Sequence, residues 1–116
     1  GLPYSIWQLV EHIRIAQADI LEFCRTPGYV SPKWPDDYWP VEAAPAHVSG
    51  WEKSLEEIHQ DLDSFIALIS DPAAAEFTPF AHGQGQNLFR EALLIAAHTS
   101  YHIGEILVIR RLLDRW

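Results

Sequence analysis

The sequence predicts an all-α protein. Three long stretches repeat hydrophobic residues at helical spacing, and the segments between them carry proline and glycine, which interrupt helices. At 116 residues the chain has room for one domain with a single buried core. We therefore expect one helical-bundle domain over residues 1–116.

The first helix is predicted over residues 6–24. Its apolar positions recur every three or four residues and would form one buried face: Leu9, Ile13, Ala16, Ile20 and Cys24. Ser5 and Gln8 have the spacing of a capping box, in which each side chain accepts a hydrogen bond from a backbone N–H group of the first turn. The sequence Thr26-Pro27-Gly28 is typical of a helix end.

A long loop is predicted over residues 25–48, because five prolines between positions 27 and 46 prevent a helix or a central strand. The same segment carries four aromatic side chains: Tyr29, Trp34, Tyr38 and Trp39. Long loops in compact domains are uncommon unless they have a role, so we expect this one to pack on the bundle. It would act either as a lid on the core or as one wall of a substrate pocket.

The second and third helices are predicted over residues 50–70 and 87–114. Ser49 and Glu52 again have capping-box spacing at the start of the second helix. The third helix is apolar on nearly every side between residues 92 and 109, which is typical of a central helix covered by its neighbours.

A fourth helix is expected, because the simplest closed helical bundle has four. Two explanations account for a chain with only three predicted helices. Either the aromatic loop covers the open side, or a helix that precedes Gly1 in the native protein is missing from this sequence.

Charge and cysteine content argue against several classes of protein. The formal net charge is −8, which disfavours binding to nucleic acid or to an anionic membrane surface. Cys24 is the single cysteine, so no internal disulfide calls for an oxidising compartment. No apolar run reaches the roughly 18 residues of a membrane helix, and no secretion signal is recognisable. We expect a soluble, cytoplasmic protein.

The last helix carries the residues most typical of a metal site. His98 and His102 are four residues apart, so both imidazoles project from one side of the helix about one turn apart. Glu91 and Glu105 lie seven residues on either side of His98, within about 20° of the same stripe. Buried ionisable groups need a compensating partner, and a divalent metal would be one.

His12 lies at the edge of the apolar face of the first helix and would supply a third nitrogen from across the core. Gln8 and Asp19 share that face and are candidate hydrogen-bond partners for a ligand ring. The alternative is that these histidines are ordinary core residues with satisfied hydrogen bonds.

Other candidates are weaker. His82 precedes the last helix and would be an additional ligand if its loop folded over the site. His47 and His59 look like surface or capping residues, and Cys24 looks like a small core side chain. Motifs for phosphate loops, nucleophilic serines and paired cysteines are not found in the sequence.

Two segments resemble the DinB-like (DinB/YfiT) metalloenzyme family. LVEHIRIAQADIL, around His12, is similar to the helix with the family's first ligand. The last helix is similar to the one with the signature H-x-x-x-Y-H-x-G, here His98, Tyr101, His102 and Gly104. The loop SPKWPDDYWP is similar to one found in a branch of the family. The resemblance implies a four-helix bundle with a helix before the one that carries His12.

It also implies that His12, His98 and His102 bind one divalent ion, with water in the remaining positions. Zinc, nickel and iron all suit three imidazoles. Relatives include transferases and isomerases that use low-molecular-weight thiols, so a metal-dependent transferase or hydrolase acting on a small molecule is expected. Glu105 and Glu91 are candidates for a general base or for a partner that anchors a ligand ring.

Two rival interpretations remain. One is a non-catalytic bundle with a structural metal or with none, and the other is an assembly module that forms homodimers. A catalytic site keeps a coordination position open, whereas a structural site is closed by four protein ligands.

Overall fold

The computed structural model describes residues 2–116, so Gly1 and the expected preceding helix lie outside the described residues. Within residues 2–116 every regular element is helical, which confirms the all-α class. The elements in chain order are α1 (Ile6–Arg25), a short 3-10 turn (Asp36–Tyr38), α2 (Val48–Ser70) and α3 (Leu88–Leu112).

One of the two predicted capping boxes forms. The backbone N–H of Gln8 donates to Ser5 Oγ at 3.1 Å, and the backbone N–H of Ser5 donates to Gln8 Oε1 at 3.0 Å. The predicted box at Ser49 is wrong. Helix α2 begins at Val48 with His47 as its cap residue, so Ser49 already lies inside the first turn, where it cannot act as the cap.

Helices α1 and α2 run parallel. Glu11 accepts a hydrogen bond from the Ser54 hydroxyl at 2.5 Å, and farther along both helices Gln17 Nε2 donates to the carbonyl oxygen of Ile58 at 2.7 Å. Parallel neighbours need a connection that returns along the bundle, and residues 26–47 provide it. The long loop therefore covers the length of α1 instead of turning at one end.

Helix α3 runs antiparallel to α1. Its first turn packs near the end of α1, since Leu88 and Cys24 belong to the same core cluster, while the later His98 meets His12 near the start of α1. The principal core lies at the Leu88 end and comprises six buried side chains: Ile20, Leu21, Cys24, Phe65, Leu88 and Ile95.

The central helix is α1, not α3 as the sequence predicted. Helix α1 packs along both α2 and α3 and contributes most of the buried side chains. Helix α3 leaves several large apolar side chains exposed: Phe89, Leu93, Leu94, Ile103, Val108 and Leu112. Apolar composition indicates that a helix needs cover, but it does not identify the element that provides it.

The aromatic loop covers the side of the bundle where α1 meets α3. On the opposite side an apolar groove of about 350 Å³ separates α2 from α3, with Leu62 and Ile66 on one wall and Ile95 and Ala96 on the other. The loop thus closes one open side of the bundle, and no other described residue fills the second.

Helix α3 is long and apolar enough, by length and composition alone, to cross a bilayer. The expectation that no segment reaches that length is therefore wrong. The reason is that an 18-residue window of α3 keeps a mean hydropathy of 1.4 although the helix carries His98, His102 and Glu105. Core helices of soluble proteins, which are mostly buried, meet the same criterion, whereas 17% of this window is buried.

Candidate metal centre

Three histidines from α1 and α3 meet at one point. His12, His98 and His102 each present a ring nitrogen within 4.8 Å of the others. The His12 side chain is 2% exposed and that of His102 is 7% exposed, whereas His98 is partly buried. The structure thus brings together the three residues that the sequence indicated as ligands, and they lie close enough to bind a metal ion.

Hydrogen bonds fix the orientation of two of these rings. His12 Nδ1 lies 2.9 Å from the backbone carbonyl oxygen of Tyr38, and His102 Nδ1 lies 2.6 Å from Glu105 Oε2. Both oxygens are acceptors, so each Nδ1 carries the proton and donates it. With Nδ1 occupied in this way, Nε2 is the nitrogen of each ring that remains for a metal ion.

The third ring completes the cluster. His98 Nε2 lies 3.0 Å from His12 Nε2, and because His12 Nε2 is an acceptor, His98 donates this hydrogen bond. Two nitrogens bound to one tetrahedral zinc at 2.0–2.1 Å lie about 3.3 Å apart. The observed separation is close to that value.

Trp39 packs flat against the His12 ring. The ring centroids lie 3.8 Å apart with an interplanar angle of 3°, and Tyr4 also stacks on Trp39 at 4.2 Å. Trp39 also meets the His102 ring edge to face at 5.9 Å. It therefore holds two candidate ligands at once, and sequence reasoning missed it. The high density of aromatic residues in the loop was the only signal.

Two residues of α1 hold the loop that carries these groups. Gln8 Nε2 donates to the carbonyl oxygen of Pro40 at 3.1 Å, and Asp19 Oδ2 accepts a hydrogen bond from the Tyr38 hydroxyl at 2.6 Å. Gln8 and Asp19 were expected to bond a ligand ring directly. Instead they fix the loop, and the loop carbonyl of Tyr38 bonds His12.

No family of proteins, no curated protein and no solved structure matches this chain.

Burial disfavours a positive charge on two of the three rings. It lowers the pKa of His12, although the hydrogen bond to Tyr38 opposes the shift. Burial, together with the neighbouring His102 and His12, lowers the pKa of His98 to about 4. Both rings are neutral near pH 7, so protons do not compete with a metal ion for their nitrogens.

The metal-free protein should lose stability in acid because of this cluster. The pKa of His98 is about 4 in the folded state, below its ordinary value of 6.5, so the unfolded chain binds the extra proton first. The His98 contribution is fully present above pH 6.5 and is lost as the pH falls toward 4. Urea unfolding with a chelator present measures this effect. The unfolding free energy of His98→Leu should change less steeply with pH than that of the wild type, by at most about 1.4 kcal/mol per pH unit.

His59→Leu is the matched control, because His59 is exposed on α2. Its unfolding free energy should follow the wild-type pH dependence. If the unfolding free energies of His98→Leu and the wild type changed with pH in parallel, the lowered pKa of His98 would be contradicted.

His82 is not brought to the cluster. Its Nε2 lies 2.8 Å from the carbonyl oxygen of Phe23, and its ring packs against Phe23 and Phe80. Phe23 is eleven residues beyond His12 on α1, which is about 16 Å along the helix. The loop before α3 closes the far end of the bundle, so His82 cannot serve as an additional ligand there.

Glu91 is also remote from the histidines, since seven residues on α3 separate it from His98 by about 10 Å. It is buried and forms an ion pair with Arg90. Cys24 lies in the core, where burial and the charge of Glu91 raise the pKa of its thiol to about 12. Neither residue is a ligand of the cluster, and of the two predicted carboxylates only Glu105 contacts it.

Two further residues of α3, Tyr101 and Gly104, differ in their contacts with the cluster. Tyr101 is 66% exposed, and a Cβ atom added to Gly104 would meet no described atom within 4 Å. The Tyr101 ring nevertheless meets the His102 ring edge to face at 5.0 Å, whereas the structure shows no packing reason for Gly104.

A cavity of about 200 Å³ adjoins the cluster. His12 and His98 form one end of it, Leu94 lies on the α3 side, and Trp34 and Tyr38 of the loop form the outer wall. The two roles predicted for the loop are thus combined, because the same segment covers the core and walls a pocket.

Proposed function

We propose that this protein binds one divalent transition-metal ion through His12, His98 and His102. The observation that carries the proposal is the convergence of three imidazoles, two of them buried and one partly buried. Two of the rings have Nδ1 occupied by a hydrogen-bond acceptor. That arrangement leaves Nε2 as the ligand atom, and ligand histidines usually donate their other ring N–H to a carboxylate or carbonyl oxygen in this way. Three neutral nitrogen donors suit zinc, nickel or iron.

The proposed role of the metal is catalytic. A structural zinc site has four protein ligands, whereas within residues 2–116 the cluster consists of three. The adjoining cavity gives a small molecule access to the His12 and His98 side of the cluster. A divalent ion bound there would act as a Lewis acid that polarises a nucleophile or a substrate group.

The reaction proposed is a metal-dependent transfer or hydrolysis on a small molecule, with a low-molecular-weight thiol as a candidate co-substrate. This assignment draws on the resemblance to the DinB-like family together with the cavity beside the cluster. Glu105 holds the Nδ1 proton of His102 and so orients a ligand ring. Trp39 and the Tyr38 carbonyl do the same for His12.

Metal analysis of protein purified without chelators tests the proposal. We expect about one zinc, nickel or iron ion per chain, or uptake of one after dialysis against these metals. Conjugation of thiols to electrophiles, and hydrolysis of small esters and amides, should then depend on the metal. Protein that neither contains nor takes up any of these ions would overturn the proposal. A metal-loaded protein without activity would favour a structural site.

Glu105→Gln should weaken metal binding about tenfold, because changes to groups that hydrogen-bond a ligand histidine cost 10–100-fold in affinity. Glutamine still accepts the His102 hydrogen bond but loses the negative charge. Competition with a chromogenic chelator measures the affinity. Glu52→Gln removes the same charge from an exposed position of α2 and should have no effect; equal losses in both variants would point to overall charge instead.

A further inference from the structure

A second cavity continues the one beside the histidines. It has a volume of about 250 Å³, and both cavities are lined by Asp19, Ile20 and Leu94. Together they form one cleft between α1 and α3 under the aromatic loop. The cleft runs from His12 and His98 at one end to the start of α3 at the other.

The two ends of the cleft are about 10 Å apart. Asp19 lies seven residues after His12 on α1, and Glu91 lies seven residues before His98 on α3. Since the two helices are antiparallel, both intervals span about 10.5 Å in the same direction. A carboxylate from each helix therefore lies at the end of the cleft remote from the histidines.

This remote end has an excess of negative charge. The Glu91 side chain is 4% exposed, and its ion-pair partner Arg90 is 57% exposed and lies at the rim. Asp19 adds a second carboxylate. The cationic Arg90 offsets one of the two negative charges, so the remote end of the cleft favours a cation.

Asp19 also has an unused hydrogen-bond acceptor. Its Oδ2 takes the Tyr38 hydroxyl, but its Oδ1 is buried without a partner among residues 2–116. Tyr29 lies beside Asp19: burial, the charge of Asp19 and a hydrogen-bonding approach to Asp19 all raise the pKa of the Tyr29 hydroxyl. No donor meets Oδ1 with normal hydrogen-bond geometry among residues 2–116. A buried acceptor without a donor is unfavourable, so an N–H donor of a ligand would stabilise this oxygen.

The middle of the cleft is apolar. Ile20 and Leu94 face each other from the two helices, and the loop contributes the indole of Trp34. Aromatic faces attract cations as well as apolar groups. The cleft thus joins an apolar segment to an anionic end.

We propose that the cleft binds a primary ammonium compound, with its ammonium group at Asp19 and Glu91 and its apolar segment between Leu94 and Trp34. The opposite end of the ligand reaches the histidine cluster. The ammonium subsite needs no metal; only the role of the opposite end rests on the proposed function.

The metal-free protein tests the ammonium subsite. Hexylamine and 1-hexanol have similar shapes but differ in charge at neutral pH. Their binding is followed through the indole N–H signal of Trp34 in ¹H–¹⁵N spectra, assigned with Trp34→Phe. Hexylamine should bind at least about fivefold more tightly than 1-hexanol, and Asp19→Asn and Glu91→Gln should each remove this preference.

Matched controls separate a local subsite from the acidity of the whole chain. Asp63→Asn and Glu52→Gln neutralise exposed carboxylates of α2 and should leave the preference unchanged. Equal binding of the two compounds to the wild type would overturn the proposal. So would equal losses in the control variants, or an unchanged preference in both Asp19→Asn and Glu91→Gln.

Metal-loaded protein tests the opposite end. Hydroxamates bind metal ions, so both 6-aminohexanohydroxamate and hexanohydroxamate should bind the metal-loaded protein. The amino compound should bind more tightly than hexanohydroxamate to the wild type, whereas the two compounds should bind Asp19→Asn with equal affinity. Hexanohydroxamate itself should bind both proteins alike. If hexanohydroxamate binds and the amine adds nothing, the ammonium subsite fails while the metal site stands. If neither hydroxamate binds but hexylamine does, the proposed metal site fails and the subsite stands.

Discussion

Purified His98→Ala protein is expected to bind zinc, nickel or iron more than about 100-fold more weakly than the wild type. Loss of a ligand should cost more than loss of a group that only orients one, for which 10–100-fold is usual. His98 is the informative choice, because its only described side-chain hydrogen bond is the one to His12. Removing it should spare the rest of the fold.

Metal content after gel filtration and isothermal titration calorimetry both measure this loss. His59→Ala and His47→Ala remove exposed histidines and should retain full metal content. Wild-type affinity in His98→Ala would show that the cluster is not the binding site. Thermal unfolding of the metal-free proteins confirms that each variant is folded.

Trp39→Ala should reduce both metal affinity and stability. The variant loses the ring that stacks on His12 and meets His102, so we expect metal binding to weaken between 10- and 100-fold. Trp39 is only partly buried, which places the loss of unfolding free energy at the low end of aromatic-to-alanine changes, at about 3 kcal/mol.

Trp39→Phe distinguishes stacking from bulk. Phenylalanine keeps an aromatic face against His12, so it should recover most of the metal affinity while leaving some loss of stability. Calorimetric titration and urea unfolding report the two effects separately. Trp116→Ala, which removes an exposed indole at the chain end, serves as the control. A Trp39→Ala protein with unchanged metal affinity would remove Trp39 from the site.

Much of the helical architecture was readable from the sequence. Periodic apolar residues and prolines located α1, α2 and α3 to within two residues at each boundary, because both signals act locally. The i,i+4 spacing of His98 and His102 likewise placed both rings on one side of α3. These features depend on residues that are close together in the sequence.

Features that depend on tertiary packing were not readable. The partner of His12 is a backbone carbonyl, and every residue has one, so no residue type marks Tyr38 for this role. The position of α1 at the centre follows from which helices pair, since α3 is the more apolar of the two. His82 was misassigned for the same reason, because the path of its loop is set by contacts with Phe23 and Phe80.

The contact between His12 and His98 joins residues 86 positions apart. Closing such a long loop costs chain entropy, so contacts of this kind form late in folding. Helices α1 and α3 must dock before all three imidazoles meet, and a metal ion therefore has no complete binding site in the unfolded chain. A bound metal ion therefore stabilises the native state. It should slow unfolding without accelerating folding.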